Sequence, residues 1–91
     1  MKKIIPTLTS ILKRHGIVRA GIFGSFATGK ATRKSDIDML VKYGSKKSPL
    51  DLIGLENELE RAVGISVDLL TYDSVNPLLK NRIMREEVRI F

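Results

Sequence analysis

The sequence predicts a small α/β domain of the α+β type, in which helices flank a short mixed sheet of three strands. Three features predict it: segments with apolar residues at helical spacing, short runs rich in β-branched residues between them, and glycine or proline at most junctions. The elements follow in the order α-β-α-β-α-β-α, and the second helix is short. At 91 residues the chain can form one core, so we expect a single domain over 1–91.

The first helix is predicted between Pro6, which suits a first helical turn, and Gly16, which suits a helix end. His15 has neither a second histidine nor a cysteine with which to share a metal, so we expect it to cap this helix or to lie exposed. The run from Ile17 to Phe23 is short, apolar and rich in β-branched residues, and it is typical of a strand.

A loop with two glycines follows this strand and has the sequence Gly24-Ser25-Phe26-Ala27-Thr28-Gly29. From Ser25 to Lys30 the chain can form one or two helical turns, which Ser25 could cap. Backbone N–H groups at the start of such a turn attract anions, and glycine lets the backbone approach a phosphate closely. We therefore expect Gly24 and Ser25 to bind the phosphates of a nucleotide.

Two aspartates open the predicted second strand, which runs from Asp36 to Lys42. Side chains two residues apart in an extended chain project from the same face, so Asp36 and Asp38 point together. An isolated aspartate in a loop is more often a turn or cap residue, and this alternative applies to Asp36 in particular.

The third strand, predicted from Ile65 to Tyr72, carries one central carboxylate, Asp68. A helix from Ser48-Pro49 to Gly64 connects it to the second strand, and such a crossover makes neighbouring strands parallel. Asp68 can then lie beside the earlier aspartate pair. A last helix starts at Asn76-Pro77, and the tail after it has the alternation of an extended segment.

Three neighbouring carboxylates repel one another unless one binds a proton or a divalent ion neutralises them. Oxygen ligands select hard cations such as Mg²⁺, and two such ions can clamp an in-line displacement at phosphorus. We therefore expect Asp36, Asp38 and Asp68 to bind metal, with Asp68 as either the general base or a ligand of the metal that activates the attacking hydroxyl. We interpret Asp51 and Asp73 as structural turn or cap residues.

Composition limits the classes of partner. A formal charge of +6 favours anionic partners, but the five aromatic residues do not interleave with a basic stripe, so direct binding of nucleic acid is not expected. The chain has no cysteine, and Pro6 interrupts the N-terminal apolar run before a signal peptide or membrane span could form. We expect a cytoplasmic protein that does not contact membranes.

The motifs together resemble the signature of the DNA polymerase beta-like nucleotidyltransferases, and within them the minimal nucleotidyltransferases. The similarity lies in Gly24-Ser25, then Asp36-Ile37-Asp38, then Asp68 on a later strand. It implies the nucleotidyltransferase fold, with Gly24 and Ser25 in the nucleotide loop and the three aspartates as catalytic metal ligands. Minimal nucleotidyltransferases are typically encoded beside a HEPN-domain RNase toxin. The resemblance therefore implies an antitoxin that transfers AMP from ATP, with Mg²⁺, to a tyrosine hydroxyl of that toxin.

Two residues depart from the family pattern. Many relatives have arginine at the position of Thr28, so a phosphate contact is either missing or supplied by Lys30 or Arg33. Relatives often have glycine at the position of Glu87, which puts the local turn in question. The chain also has no additional domain to hold an acceptor, so we expect a protein partner to complete the site, with Leu78, Ile90 and Phe91 as its contacts or as core residues.

Two other functions remain open. The chain could neutralise its partner by occlusion, with a vestigial nucleotide site, although a binding protein has no reason to keep three mutually repelling acids. It could instead transfer a nucleotide to a small molecule such as an aminoglycoside, against which the missing acceptor domain weighs.

Overall fold

The computed structural model describes residues 3–91, and it has four helices, four strands and one 3₁₀ turn. In chain order they are α1 Ile5–Arg14, β1 Ile17–Phe23, α2 Ser25–Thr28, β2 Ile37–Tyr43, α3 Pro49–Val63, β3 Val67–Thr71, the 3₁₀ turn Tyr72–Ser74, α4 Pro77–Glu86 and β4 Val88–Arg89. The predicted fold class and the order of the first seven elements are confirmed. The predicted domain boundary includes residues 1 and 2, which lie outside the described range, and it stays a prediction.

The sheet has four strands in the order β3-β2-β1-β4. β2 and β3 are parallel, as the crossover through α3 requires, whereas β1 is antiparallel to both β2 and β4. The prediction of three strands is therefore wrong by one strand. The extended tail forms β4, where Arg89 pairs with Gly21 and Val88 with Ile22, and a two-residue strand is too short for its sequence pattern to show.

The core lies between one face of the sheet and helices α1 and α3. Alternate residues of β2, Ile37, Met39 and Val41, are completely buried on this face. Helical spacing brings the matching residues of the two helices onto it, and these are Leu8, Ile11, Leu12, Leu55 and Leu59. The opposite face of β2 therefore presents Asp38, Leu40 and Lys42.

Helix ends position the two core helices. The Asp51 carboxylate accepts the Ser48 backbone N–H at 2.9 Å at the start of α3, and Gly64 ends that helix with a φ of +70°. His15 caps the end of α1, as expected, and its Nε2 lies 2.7 Å from Oε1 of Glu58 on α3. No helix in the described range is long and apolar enough to cross a lipid bilayer.

Candidate active site

Gly24 lies at the end of β1 in a backbone conformation that is essentially restricted to glycine, with φ +73° and ψ −152°. A Cβ atom at this position would collide with the carboxylate of Asp38, and it would lie 3.3 Å from the Asp38 Cγ. The missing side chain therefore leaves the space in which the Asp38 carboxylate lies against the glycine loop.

Ser25 begins α2 as its first helical residue, so the prediction that it caps the turn is wrong. Gly24 occupies the cap position instead, and its carbonyl oxygen accepts the N–H groups of Ala27 and Thr28, each at 3.1 Å. The Thr28 hydroxyl also donates to that carbonyl, at 3.2 Å. The first two N–H groups of a helical turn have no acceptor inside it, so those of Ser25 and Phe26 are left for a ligand.

The parallel pairing of β2 and β3 brings two of the predicted acids together. Asp38 and Asp68 are register partners, so their side chains project from the same face of strands about 4.8 Å apart. Asp36 precedes the first residue of β2 and is not part of the strand, contrary to the predicted boundary, but it is only two residues from Asp38. Asp36 and Asp68 are exposed, so the cost of burying a lone acid does not apply to Asp68.

The charges of the other two acids act on Asp38. The pKa of Asp38, which is half-buried, is raised above its ordinary value, first by burial and then by the negative charges of Asp68 and Asp36. A raised carboxyl pKa means that the charged form is unfavourable, and a nearby cation would relieve it.

No three His, Cys, Asp or Glu side chains within residues 3–91 are arranged closely enough to hold a metal ion as they stand. The donor set nevertheless fits a hard divalent cation by its chemistry, because it consists of carboxylates, and the negative charges of two of them raise the pKa of the third, Asp38. The carboxylates are thus collected on one surface without forming a finished ligand sphere.

A cavity of about 230 Å³ lies between α4 and one of these carboxylates, Asp38. Phe23, Gly24 and Asp38 line one side, and the α4 residues Leu79, Arg82, Ile83 and Glu86 line the other. Sequence reasoning missed Arg82 and Glu86. They share one helical face with Ile83, whose apolar side chain was expected to point inward, but this pattern does not single them out as cavity residues.

A second polar cluster lies beside this cavity. The Glu87 side chain, only 6% exposed, accepts a short hydrogen bond from the Tyr72 hydroxyl and lies 3.7 Å from a guanidinium nitrogen of Arg19. Gly21 makes room for it, because a Cβ there would lie 2.7 Å from the Glu87 Cδ. Burial and the Glu87 hydrogen bond raise the pKa of Tyr72 to about 12, so this phenol stays protonated.

The three expected partner contacts differ in exposure. Leu78 is 90% exposed at the start of α4. Ile90 and Phe91 are half-buried and pack against the core, and the Phe91 carbonyl accepts the Ala20 N–H at 3.1 Å. Of the three, Leu78 alone presents most of its side chain to a partner.

Comparison with known proteins gives two kinds of match. Residues 6–91 match the family of polymerase beta nucleotidyltransferases. A Methanocaldococcus jannaschii protein that carries the name protein adenylyltransferase is 52% identical over 89 residues, which cover 98% of this chain and 91% of the relative. The protein adenylyltransferase MntA of Thermococcus cleftensis is 36% identical over 78 residues, covering 86% of this chain and 79% of the relative.

Solved structures have the same fold. A structure described as a minimal nucleotidyltransferase superposes with a TM-score of 0.83 at 33% identity, covering 96% of this chain and 89% of that one. A toxin-antitoxin structure with AMP-PNP gives a TM-score of 0.85 at 21% identity, covering 96% of this chain and 72% of that chain.

Proposed function

Because the chain belongs to the polymerase beta nucleotidyltransferase family, we propose that it transfers AMP from ATP to a hydroxyl group of a partner protein. The observation that carries this proposal is the register pairing of Asp38 with Asp68 beside the loop at Gly24. The names of the relatives, among them the MntA adenylyltransferase, support a protein as the acceptor. We further propose that the partner is a HEPN-domain toxin, that its acceptor is a tyrosine hydroxyl, and that the modification silences it.

Different residues would bind the nucleotide and carry out the transfer. The Ser25 hydroxyl and the N–H groups at the start of α2 would bind the terminal phosphates, for which Gly24 lets the backbone approach closely. Asp36, Asp38 and Asp68 would hold Mg²⁺, which supplies charge neutralisation for a displacement at phosphorus. Asp68 would also take the proton of the acceptor hydroxyl, a role supported by its exposure and by its position on the same face as Asp38.

Arg82 offers a positive charge that the glycine loop itself lacks. It is the cationic residue that lines the Asp38 cavity, whereas the Thr28 hydroxyl is turned toward the backbone. Its Nε donates to Glu86 at 3.2 Å, which holds the guanidinium along the cavity wall. This position supports a contact between Arg82 and the nucleotide phosphates, in addition to the contact from Lys30 or Arg33 that the sequence suggested.

The transfer is tested by incubating the chain with the HEPN protein encoded beside it, ATP and Mg²⁺, and measuring the mass of that protein. The wild type is expected to add AMP, 329 Da per group by its formula, and the variants Asp38→Asn and Asp68→Asn are expected to add none. Glu58→Gln is the matched control, because it removes one carboxylate on the opposite face of the sheet. It should transfer AMP as the wild type does below its melting temperature.

The same experiment separates transfer from occlusion. If the partner gains no AMP mass while the wild type still inhibits it, the proposed reaction is wrong and occlusion remains. If inhibition survives in Asp38→Asn with transfer lost, both mechanisms operate. A small-molecule acceptor is indicated if the partner is neither modified nor inhibited but ATP is still consumed when an aminoglycoside is added.

A further inference from the structure

A second cavity, of about 270 Å³, lies on the same face of the sheet as Asp38, along the other side of α4. Leu40 and Lys42 of β2 line it from the sheet, and Lys80 and Ile83 line it from α4. Ile83 also lines the Asp38 cavity, so the two cavities adjoin along the helix. The volume lies just below the range for drug-sized ligands, which indicates a smaller ligand.

Positive charge dominates the walls of this cavity. Arg19, Lys42 and Lys80 line it, against the single carboxylate of Asp73. Within residues 3–91, neither Lys42 nor Lys80 forms an ion pair with another side chain. Two free ammonium groups beside a guanidinium favour an anion with several oxygens, such as a phosphate.

Arg19 retains hydrogen-bond donors that the described part of the chain does not use. Its Nε is buried with no hydrogen-bond partner. Another nitrogen of the guanidinium, Nη2, lies 3.7 Å from Oε1 of Glu87. A charge-assisted hydrogen bond is about 2.8 Å long, so Glu87 does not satisfy this guanidinium. The guanidinium instead lies over the Tyr72 ring, 4.5 Å from its centroid, and this stack is a flat surface.

The rest of the lining is apolar. Leu40 is completely buried beneath the cavity, Ile83 is nearly so, and Met84 borders it while 46% exposed. A site with cationic groups on one side, an apolar floor and a flat guanidinium-aromatic stack fits a ligand that combines a phosphate with a planar ring.

We propose that this cavity binds a small phosphate ester with a planar ring, of the size of a nucleoside monophosphate. Its phosphate contacts Arg19, Lys42 and Lys80, and its ring lies against the Arg19–Tyr72 stack. The site is separate from the carboxylates that we propose as metal ligands, and it does not depend on the transfer reaction.

The test uses AMP as the probe, with the ¹⁵N-labelled chain in 150 mM salt and EDTA, so that no divalent cation is available to the aspartates. In NMR spectra, AMP is expected to cause saturable chemical-shift changes at the backbone amides of Lys42, Tyr72 and Lys80. Adenosine and inorganic phosphate are titrated in the same way for comparison. Each should bind more weakly than AMP, because each supplies only one half of the ligand.

Lys42→Gln and Lys80→Gln are the test variants, because both side chains are exposed and their loss leaves the core intact. Each should weaken AMP binding about three- to tenfold, as expected for the loss of one charged contact. Lys46→Gln is the matched control with the same change of charge on the adjacent loop, outside this cavity, and it should change the affinity less than twofold.

Three results would overturn the proposal. Equal weakening in Lys42→Gln and Lys46→Gln would mean attraction to the net positive charge alone. Shifts confined to residues from Gly24 to Asp38 would assign AMP to the transfer site. If adenosine binds as tightly as AMP, the phosphate contributes nothing to binding and the cavity contains no anion site. None of these results bears on AMP transfer to the partner, so the two proposals fail separately.

Discussion

Gly24→Ala should greatly slow AMP transfer while leaving most of the chain folded. The added Cβ atom has two effects, a strained backbone conformation and a steric collision. Alanine must adopt a φ of +73° with a ψ of −152°, a region that costs a residue other than glycine about 1–3 kcal/mol. The new Cβ also collides with the Asp38 carboxylate, which must leave its place beside the loop.

The two costs have different consequences. The backbone cost lowers the free energy of unfolding, and for a domain of this size each kcal/mol lowers the melting temperature by about 4–8 °C. The collision moves the carboxylate that pairs in register with Asp68, and a displacement of about 1 Å in a catalytic site can cost about 100-fold in rate. We therefore expect the initial rate of AMP transfer to fall at least about 100-fold.

Gly64→Ala is the matched control, because Gly64 also has a positive φ, +70°, but a Cβ there meets no atom within 4 Å. It should cost about 1–2 kcal/mol of stability and leave the transfer rate within about threefold of the wild type. Both variants are assayed by acceptor mass well below their melting temperatures, determined by circular dichroism. Equal loss of transfer in the two variants, or full activity in Gly24→Ala, would refute the geometric argument.

Three further predictions concern stability. Without divalent cations, Asp38→Asn should raise the melting temperature at pH 7. The pKa of Asp38 is raised in the folded state, so the stability that its protonated form contributes is fully present below pH 3.8, the ordinary pKa, and is lost as the pH rises through the folded-state pKa. An equal gain in melting temperature at pH 3 would contradict this. Glu58→Gln should lower the melting temperature at pH 7, because the His15 hydrogen bond lowers the Glu58 pKa, and the difference from wild type should shrink as the pH falls below 4.5. Gly21→Ala should lower the free energy of unfolding, measured by chemical denaturation, by about 1–3 kcal/mol, and by less in a Glu87→Ala background. Equal losses in the two backgrounds would exclude a clash between the two residues.

The pairing of two of the acids could be predicted from sequence because it depends on local and topological rules. Alternation along a strand places Asp38 on one face of β2, and the helical crossover makes the next strand parallel, which brings Asp68 into register with Asp38. Alternation does not apply to Asp36, because that residue lies before the strand. The cap of α2 could not be predicted in the same way. Serine is the better cap by statistics, but the backbone conformation of Gly24, which makes room for Asp38, places the cap one residue earlier.

The contribution of α4 to the site could not be predicted, because it depends on where a helix packs. Periodicity shows that Arg82, Ile83 and Glu86 share one face, and it predicts that Ile83 is buried. It does not show that this face covers Asp38, since that contact joins residues more than 40 positions apart. Charged residues that flank a buried apolar residue are usually solvated, so nothing in the pattern singles out Arg82 and Glu86 as cavity residues.

Glu87 shows how a departure from the family pattern is accommodated. Its φ is −59°, which any residue adopts, so the chain turns after α4 without the glycine that the family resemblance led us to expect there. Its carboxylate occupies the space above Gly21 and binds the Tyr72 hydroxyl, which anchors the end of α4 to the sheet. Ile83 is one helical turn earlier and is buried on the same side, so the two residues together fix the rotation of α4. That rotation directs Arg82 toward the Asp38 cavity. Glu87, the residue that departs from the family pattern, thereby supports the cavity wall.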